Sequence, residues 1–110
     1  MFTQYLLDLI YLVRHHETMP ATALSAKLSE EVGELSEHAL LADGYCSHKA
    51  PLAEDPEGEA ADVINCALAI VIRIHIDNGH SDSQIATLIM HDLKSKLTKY
   101  NETVGGSTTN

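Results

Sequence analysis

The chain has 110 residues, with sixteen acidic against seven basic side chains, and its formal charge of −9 argues against a nucleic-acid-binding surface. That length suits one domain with a modest core, and 45% hydrophobic residues with one Phe and no Trp make the core mostly Ala, Leu, Ile and Val, a mixture that favours helices over sheets. The longest apolar stretch, Ala60 to Ile76, is interrupted by Asp62, Asn65, Arg73 and His75, so it reads as a buried helix and not as a membrane span.

The first apolar stripe is Tyr5, Leu6, Leu9, Leu12 and Val13, at helical steps of three and four, and predicts a helix ending near His16. This apolar beginning is broken by Gln4 and Asp8 and carries neither a basic leader nor a small-residue cleavage site, so the expected compartment is the cytoplasm. Pro20 suits the opening turn of a second helix, predicted over residues 21–42 and stopped by Asp43 and Gly44. The stretch from Gly44 to Pro56 has no sustained period and is long enough for a lid, with Tyr45, His48 and Lys49 available to a ligand. A third helix is expected over residues 57–77, capped by Asn78 and Gly79, although Ile72, Ile74 and Ile76 alternate with Arg73 and His75 in a strand-like way. Ser81 with Gln84 predicts a capping box, and Ile85, Leu88, Ile89, Leu93, Leu97 and Tyr100 continue a fourth helix. One all-α domain over residues 1–104 with a flexible tail over 105–110 is therefore expected. Cys46, in the polar loop, and Cys66, in an apolar run, read as reduced thiols.

Chemistry is concentrated in two acidic pairs. Glu31 and Glu34 are three apart on the second helix, and Glu59 and Asp62 are three apart on the third, so each pair projects from adjacent turns. At about 100° per residue, Glu31 falls beside Leu24, Leu28 and Leu35, with Glu34 at the edge of that stripe, and Glu59 lines up with Val63, Cys66 and Ile70. An unpaired carboxylate on a core-facing stripe is costly, and a divalent metal between the helices would compensate it. Glu30 and Glu37, opposite the stripe, are the solvated comparison. The alternative is that all four are ordinary charges near helix N-termini, which suits Glu59 better than the mid-helix Glu31 and Glu34.

The run Lys27-Leu28-Ser29-Glu30-Glu31-Val32-Gly33-Glu34-Leu35, followed by Glu59-Ala60-Ala61-Asp62-Val63, resembles the signature of MazG-like all-α nucleoside triphosphate pyrophosphatases. The resemblance covers roughly residues 21–100. It implies a four-helix, MazG-like bundle assembled as a homodimer or homotetramer, and hydrolysis of a nucleoside triphosphate to the monophosphate and pyrophosphate. It places the Mg2+ ligands, with Mn2+ as a substitute, on Glu31, Glu34, Glu59 and Asp62, with Glu30 as an outer-sphere helper. Glu34 or Glu31 then orients the attacking water, and Lys96 and Lys99 resemble the basic segment that contacts phosphates. Tyr100 stands in that segment where an Asn is common, and Thr103 where a basic residue often follows.

Asn65 lies one turn beyond Asp62 and needs a partner on a neighbouring helix or on a nucleotide, while His38, one turn after Glu34, is expected near the site but not as a ligand. Cys46 and His48 lack the further soft ligands zinc needs, and no His has a Glu three residues before it, which excludes the di-iron carboxylate pattern. The third helix is apolar nearly all round, which calls for cover from a second subunit. The competing reading is a non-catalytic helical module that binds a nucleotide or a partner.

Overall fold

In the computed structural model, residues 1–45, 52 and 54–105 are described. They form four α-helices and no strand: α1 (Phe2–His16), α2 (Ala21–Ala42), α3 (Pro56–Asp77) and α4 (Asp82–Val104). The tail expected over residues 105–110 lies outside them except for Gly105, which caps α4, and most of the expected lid, residues 46–51 and 53, also lies outside.

Local chemistry accounts for the helix ends. Asp55 accepts from the Gly58 amide at 2.7 Å and Pro56 follows at the first helical position, so α3 starts with one orphan donor satisfied and another removed. At α4 the expected capping box is present: Ser81 Oγ accepts from the Gln84 amide at 3.3 Å and Gln84 Oε1 accepts from the Ser81 amide at 2.9 Å. Pro20 sits one residue before α2, in extended conformation, instead of inside its opening turn. At the far ends Gly44 (φ +87°) and Gly79 (φ +86°) take the left-handed conformation that reverses the chain, whereas Asn78 does not.

The strand-like alternation of Ile72, Ile74 and Ile76 is absorbed into α3, where Ile72 is fully buried and Ile74 exposed. In α1 the buried stripe is Leu6, Ile10 and Val13, while Tyr5 and Leu12 are exposed, so the stripe is rotated from the one the sequence suggested. These residues pack with Leu24 of α2, Ala69 and Ile72 of α3, and Ile85, Ala86 and Ile89 of α4. Full burial of Leu6, Ile10, Ile72 and Ile85 contributes about 1.5–3 kcal/mol each.

α3 packs most extensively on α2, α1 lies against α3 and α4, and α4 touches α3 only sparsely and α2 not at all. Two arginines tie α1 into this frame. Arg73 donates to the carbonyls of Val13 and Glu17 at 3.0 and 2.8 Å, closing the end of α1, and Arg14 bonds Asp82 at 2.7 Å and the His80 carbonyl at 3.0 Å. No helix among the described residues is long and apolar enough to cross a membrane.

Candidate metal centre

Leu24 meets Cys66 through a thiol hydrogen bond of 3.3 Å to its carbonyl, Glu31 faces Asp62, and Glu34 bonds Glu59. The α2 numbers rise as the α3 numbers fall, so the two helices run antiparallel and their acidic pairs meet at one level. Carboxylate oxygens of Glu31, Glu34 and Glu59 lie within 4.8 Å of one another, and so do those of Glu54, Glu59 and Asp62. Glu59 belongs to both groups and is 6% exposed, while Glu31, Glu34 and Asp62 are half-buried.

Crowding and burial raise the pKa of three of these five acids, Glu31, Glu54 and Glu59. Burial, the hydrogen bond that the protonated Glu59 donates to Glu34, and the Glu34 charge push the Glu59 carboxyl up to about 7, with Glu54 and Asp62 adding to the effect. Glu31 is also raised, first by burial and then by Glu34 and Asp62, with Lys27 opposing, and Glu54 is raised by burial and by Asp62. Among the described residues no basic side chain forms an ion pair with any of the five. Glu31 Oε2 and Glu59 Oε2 are buried without a hydrogen-bond partner. Buried acceptors left open beside other carboxylates fit a hard divalent cation, whose positive charge and oxygen affinity would satisfy them together.

Glu54 was not anticipated, because it lies in the polar stretch before α3, where no periodicity marks it. It reaches the cluster by folding over the first turn of α3, and Gly58 makes room for it: a Cβ there would stand 2.8 Å from the Glu54 Cγ and Cδ. Of the two comparison residues, Glu30 is exposed as expected but Glu37 is half-buried. His38 lines a separate groove with Val32, Leu35 and Pro56 and joins neither carboxylate group.

Glu31 and Asp62 of the cluster open onto a cavity of about 530 Å3 between α1, α2 and α3. Its polar lining is Glu31, Asp62, Asn65, Lys27, Glu17 and His16, and Leu9, Leu12, Val13, Leu24, Cys66 and Ala69 supply the apolar part. Asn65 Oδ1 is buried there without a partner, so the expected need for a neighbouring helix is unmet and its acceptor remains for a ligand. Lys27, part of the sequence motif but not expected as a site residue, lines the cavity together with His16.

Lys96, Lys99 and Tyr100 are not brought to the carboxylates within one protomer. They lie on the exposed second half of α4, a helix that does not touch α2, and Lys96 borders a different cavity with Val71, His75 and Asp92. Periodicity could place these residues on a helix but could not show which helices that helix packs against. Cys66 is a free, buried thiol, raised in pKa chiefly by burial, whereas Cys46 and His48 lie outside the described residues. Comparison with protein-family models, curated proteins and solved structures finds no match.

Proposed function

We propose that this chain is a magnesium-dependent nucleoside triphosphate pyrophosphohydrolase of the MazG-like kind, acting as a homo-oligomer. One observation carries the proposal: a buried Glu59, with an unpartnered oxygen, stands among four further carboxylates, two of which, Glu31 and Asp62, line a cavity with both polar and apolar walls. Glu31, Glu34, Glu59 and Asp62 would hold Mg2+, or Mn2+ in its place, with Glu54 added to the set. The ion supplies charge neutralisation on the phosphates and a lowered pKa for a bound water.

The protein's own groups do the remainder. In the metal-free protein Glu59, raised to about 7 by burial and by Glu34, holds a proton near neutral pH that the cation would displace, and Glu34 or Glu31 would then orient the attacking water. Leu9, Leu12, Val13 and Leu24 offer the apolar walls that a nucleobase needs, and Asn65 Oδ1 accepts from an N–H on its edge. Lys27 sits where it can meet a phosphate oxygen.

Oligomerisation is supported by what one protomer leaves uncovered. Ile64, Val71 and Ile74 of α3 and Leu88, Leu93 and Leu97 of α4 are exposed, and a groove lined by Leu68, Val71, Leu88 and Leu93 separates the two helices. A second copy is the economical cover, and sedimentation should report a species of at least twice the 12.0 kDa chain mass.

The catalytic test is pyrophosphate release from a panel of canonical and modified deoxynucleoside triphosphates with Mg2+. At least one should be turned over, and Glu34→Gln or Asp62→Asn should abolish the release. No turnover across the panel would reject the enzyme. The second reading, a non-catalytic module that binds a nucleotide or a partner, draws on the distance of Lys96 and Lys99 from the acids, and it predicts stabilisation by nucleotide with no product.

A further inference from the structure

A second cluster of metal-binding groups lies at the opposite end of α3, away from the carboxylates. α3 closes in a Schellman turn: the Gly79 amide donates to the Ile76 carbonyl at 2.9 Å and the His80 amide donates to the His75 carbonyl at 3.1 Å. This turn sets the residue after the glycine beside the residue five positions earlier, and the two side chains there are commonly apolar. α2 ends in the same way, through Gly44→Leu41 and Tyr45→Leu40 bonds of 3.1 and 2.8 Å, and its two positions are the ordinary Leu40 and Tyr45. At the end of α3 both positions are histidine.

The imidazoles are half-buried, with Nδ1 atoms 3.3 Å apart, ring centroids 5.0 Å apart and planes at 70°. A contact of 3.3 Å is long against the roughly 2.7–3.2 Å of a well-formed N–H hydrogen bond. It matches another arrangement. With Zn–N bonds of about 2.0–2.1 Å along in-plane lone pairs, two imidazoles on one tetrahedral ion have nitrogens about 3.3–3.4 Å apart and centroids about 5.1–5.3 Å apart, close to what is seen here.

We propose that His75 and His80 form a second metal site, selective for a borderline transition cation, with Zn2+ as the ion, and that it pins the α3–α4 turn. Nitrogen donors separate it chemically from the all-oxygen centre, which suits Mg2+. The neighbouring cation does not oppose it, since the Arg14 charge is met by Asp82 at 2.7 Å. No third side-chain ligand stands within reach among the described residues, so this is an open site that water completes, weaker than the closed four-ligand sites of structural zinc. Whereas only the sequence pairs Cys46 with His48, here the two donors are already held together.

The test is Zn2+ titration of the metal-stripped full chain by calorimetry, with Mg2+ present in excess to occupy the carboxylates. Wild type and Glu59→Gln should each take up one Zn2+, His75→Gln and His80→Gln should lose at least tenfold in affinity, and Co2+ in place of Zn2+ should give the visible absorption of a nitrogen-bound ion. Circular dichroism checks that the variants are folded, and imidazole resonances of wild type give a reading that needs no variant: those of His75 and His80 should move on Zn2+ addition. Unmoved resonances, or uptake that Glu59→Gln abolishes and the histidine variants leave intact, would overturn the site and leave a plain imidazole hydrogen bond.

Discussion

Replacing Glu59 by Gln separates a metal-binding carboxylate from a buried acid that is merely tolerated. In the folded chain the Glu59 carboxyl stands at about 7 against an ordinary 4.5, lifted first by burial and then by Glu34. The folded state therefore holds a proton that the unfolded state gives up, so the Glu59 contribution to stability is full below about pH 4.5 and is lost as pH rises through about 7. Bound Mg2+ must displace that proton. At about pH 7 half the molecules carry it, so binding should release about half a proton, and the apparent Mg2+ affinity should fall about tenfold from pH 8 to pH 6. Glu59→Gln keeps the shape and removes the titration, so its metal-free melting temperature should lose this pH-dependent decline and Mg2+ should no longer raise it. Calorimetry in two buffers of different protonation enthalpy counts the protons, and melting curves with and without Mg2+ give the stabilities. Equal wild-type affinity at both pH values, or a Glu59→Gln protein still stabilised by Mg2+, would refute the reasoning.

Gly58→Ala should leave the melting temperature unchanged or raise it, since Ala is favoured over Gly in a helix by up to about 1 kcal/mol. The new methyl must push Glu54 aside, so Mg2+ affinity should fall by calorimetry, and unchanged affinity would remove Glu54 from the ligand set. Ser81→Ala breaks the capping box of α4 and should cost about 1 kcal/mol in urea unfolding, with Mg2+ binding unaffected because α4 does not touch α2. Asn65→Ala should raise KM for the nucleotide more than it lowers kcat, read from steady-state pyrophosphate release, because the side chain lines the cavity without belonging to either carboxylate group.

The helices were legible because each carries its own punctuation. Gly44 and Gly79 end α2 and α3, and the Ser81–Gln84 box opens α4, so their bounds follow from local chemistry. The convergence of Glu31, Glu34, Glu59 and Asp62 was legible because each acid sits on or at the edge of a helix's apolar stripe, and packing those stripes together brings the acids along. Three features were not legible. Glu54 enters through a tertiary fold-back over Gly58, and spacing carries no trace of it. The buried face of α1 is Leu6–Ile10–Val13 because α1 must touch both α3 and α4, which selects among several apolar positions. The expected gathering of Lys96, Lys99 and Tyr100 with the acids depended on which helices pack together, and a pattern of residues along one helix does not hold that information.

The basic residues make a final argument about the order of events at the carboxylates. Of the seven, Arg14 and Arg73 are engaged in helix-closing bonds, Lys49 lies outside the described residues, and Lys94, Lys96 and Lys99 are exposed on α4, which leaves Lys27 at the cavity. One ammonium beside five acids cannot make that mouth attractive to a triphosphate, whereas a divalent cation reverses the local sign of the field. If the proposed function holds, metal binds before nucleotide, and a non-hydrolysable triphosphate analogue titrated in excess chelator should show no heat, then bind once Mg2+ is restored. A second copy could change this by bringing its α4 lysines across. Weak analogue binding in chelator, abolished by Lys96→Gln with Lys99→Gln, would assign the missing charge to the partner's α4, while binding that survives both substitutions would break the ordering argument.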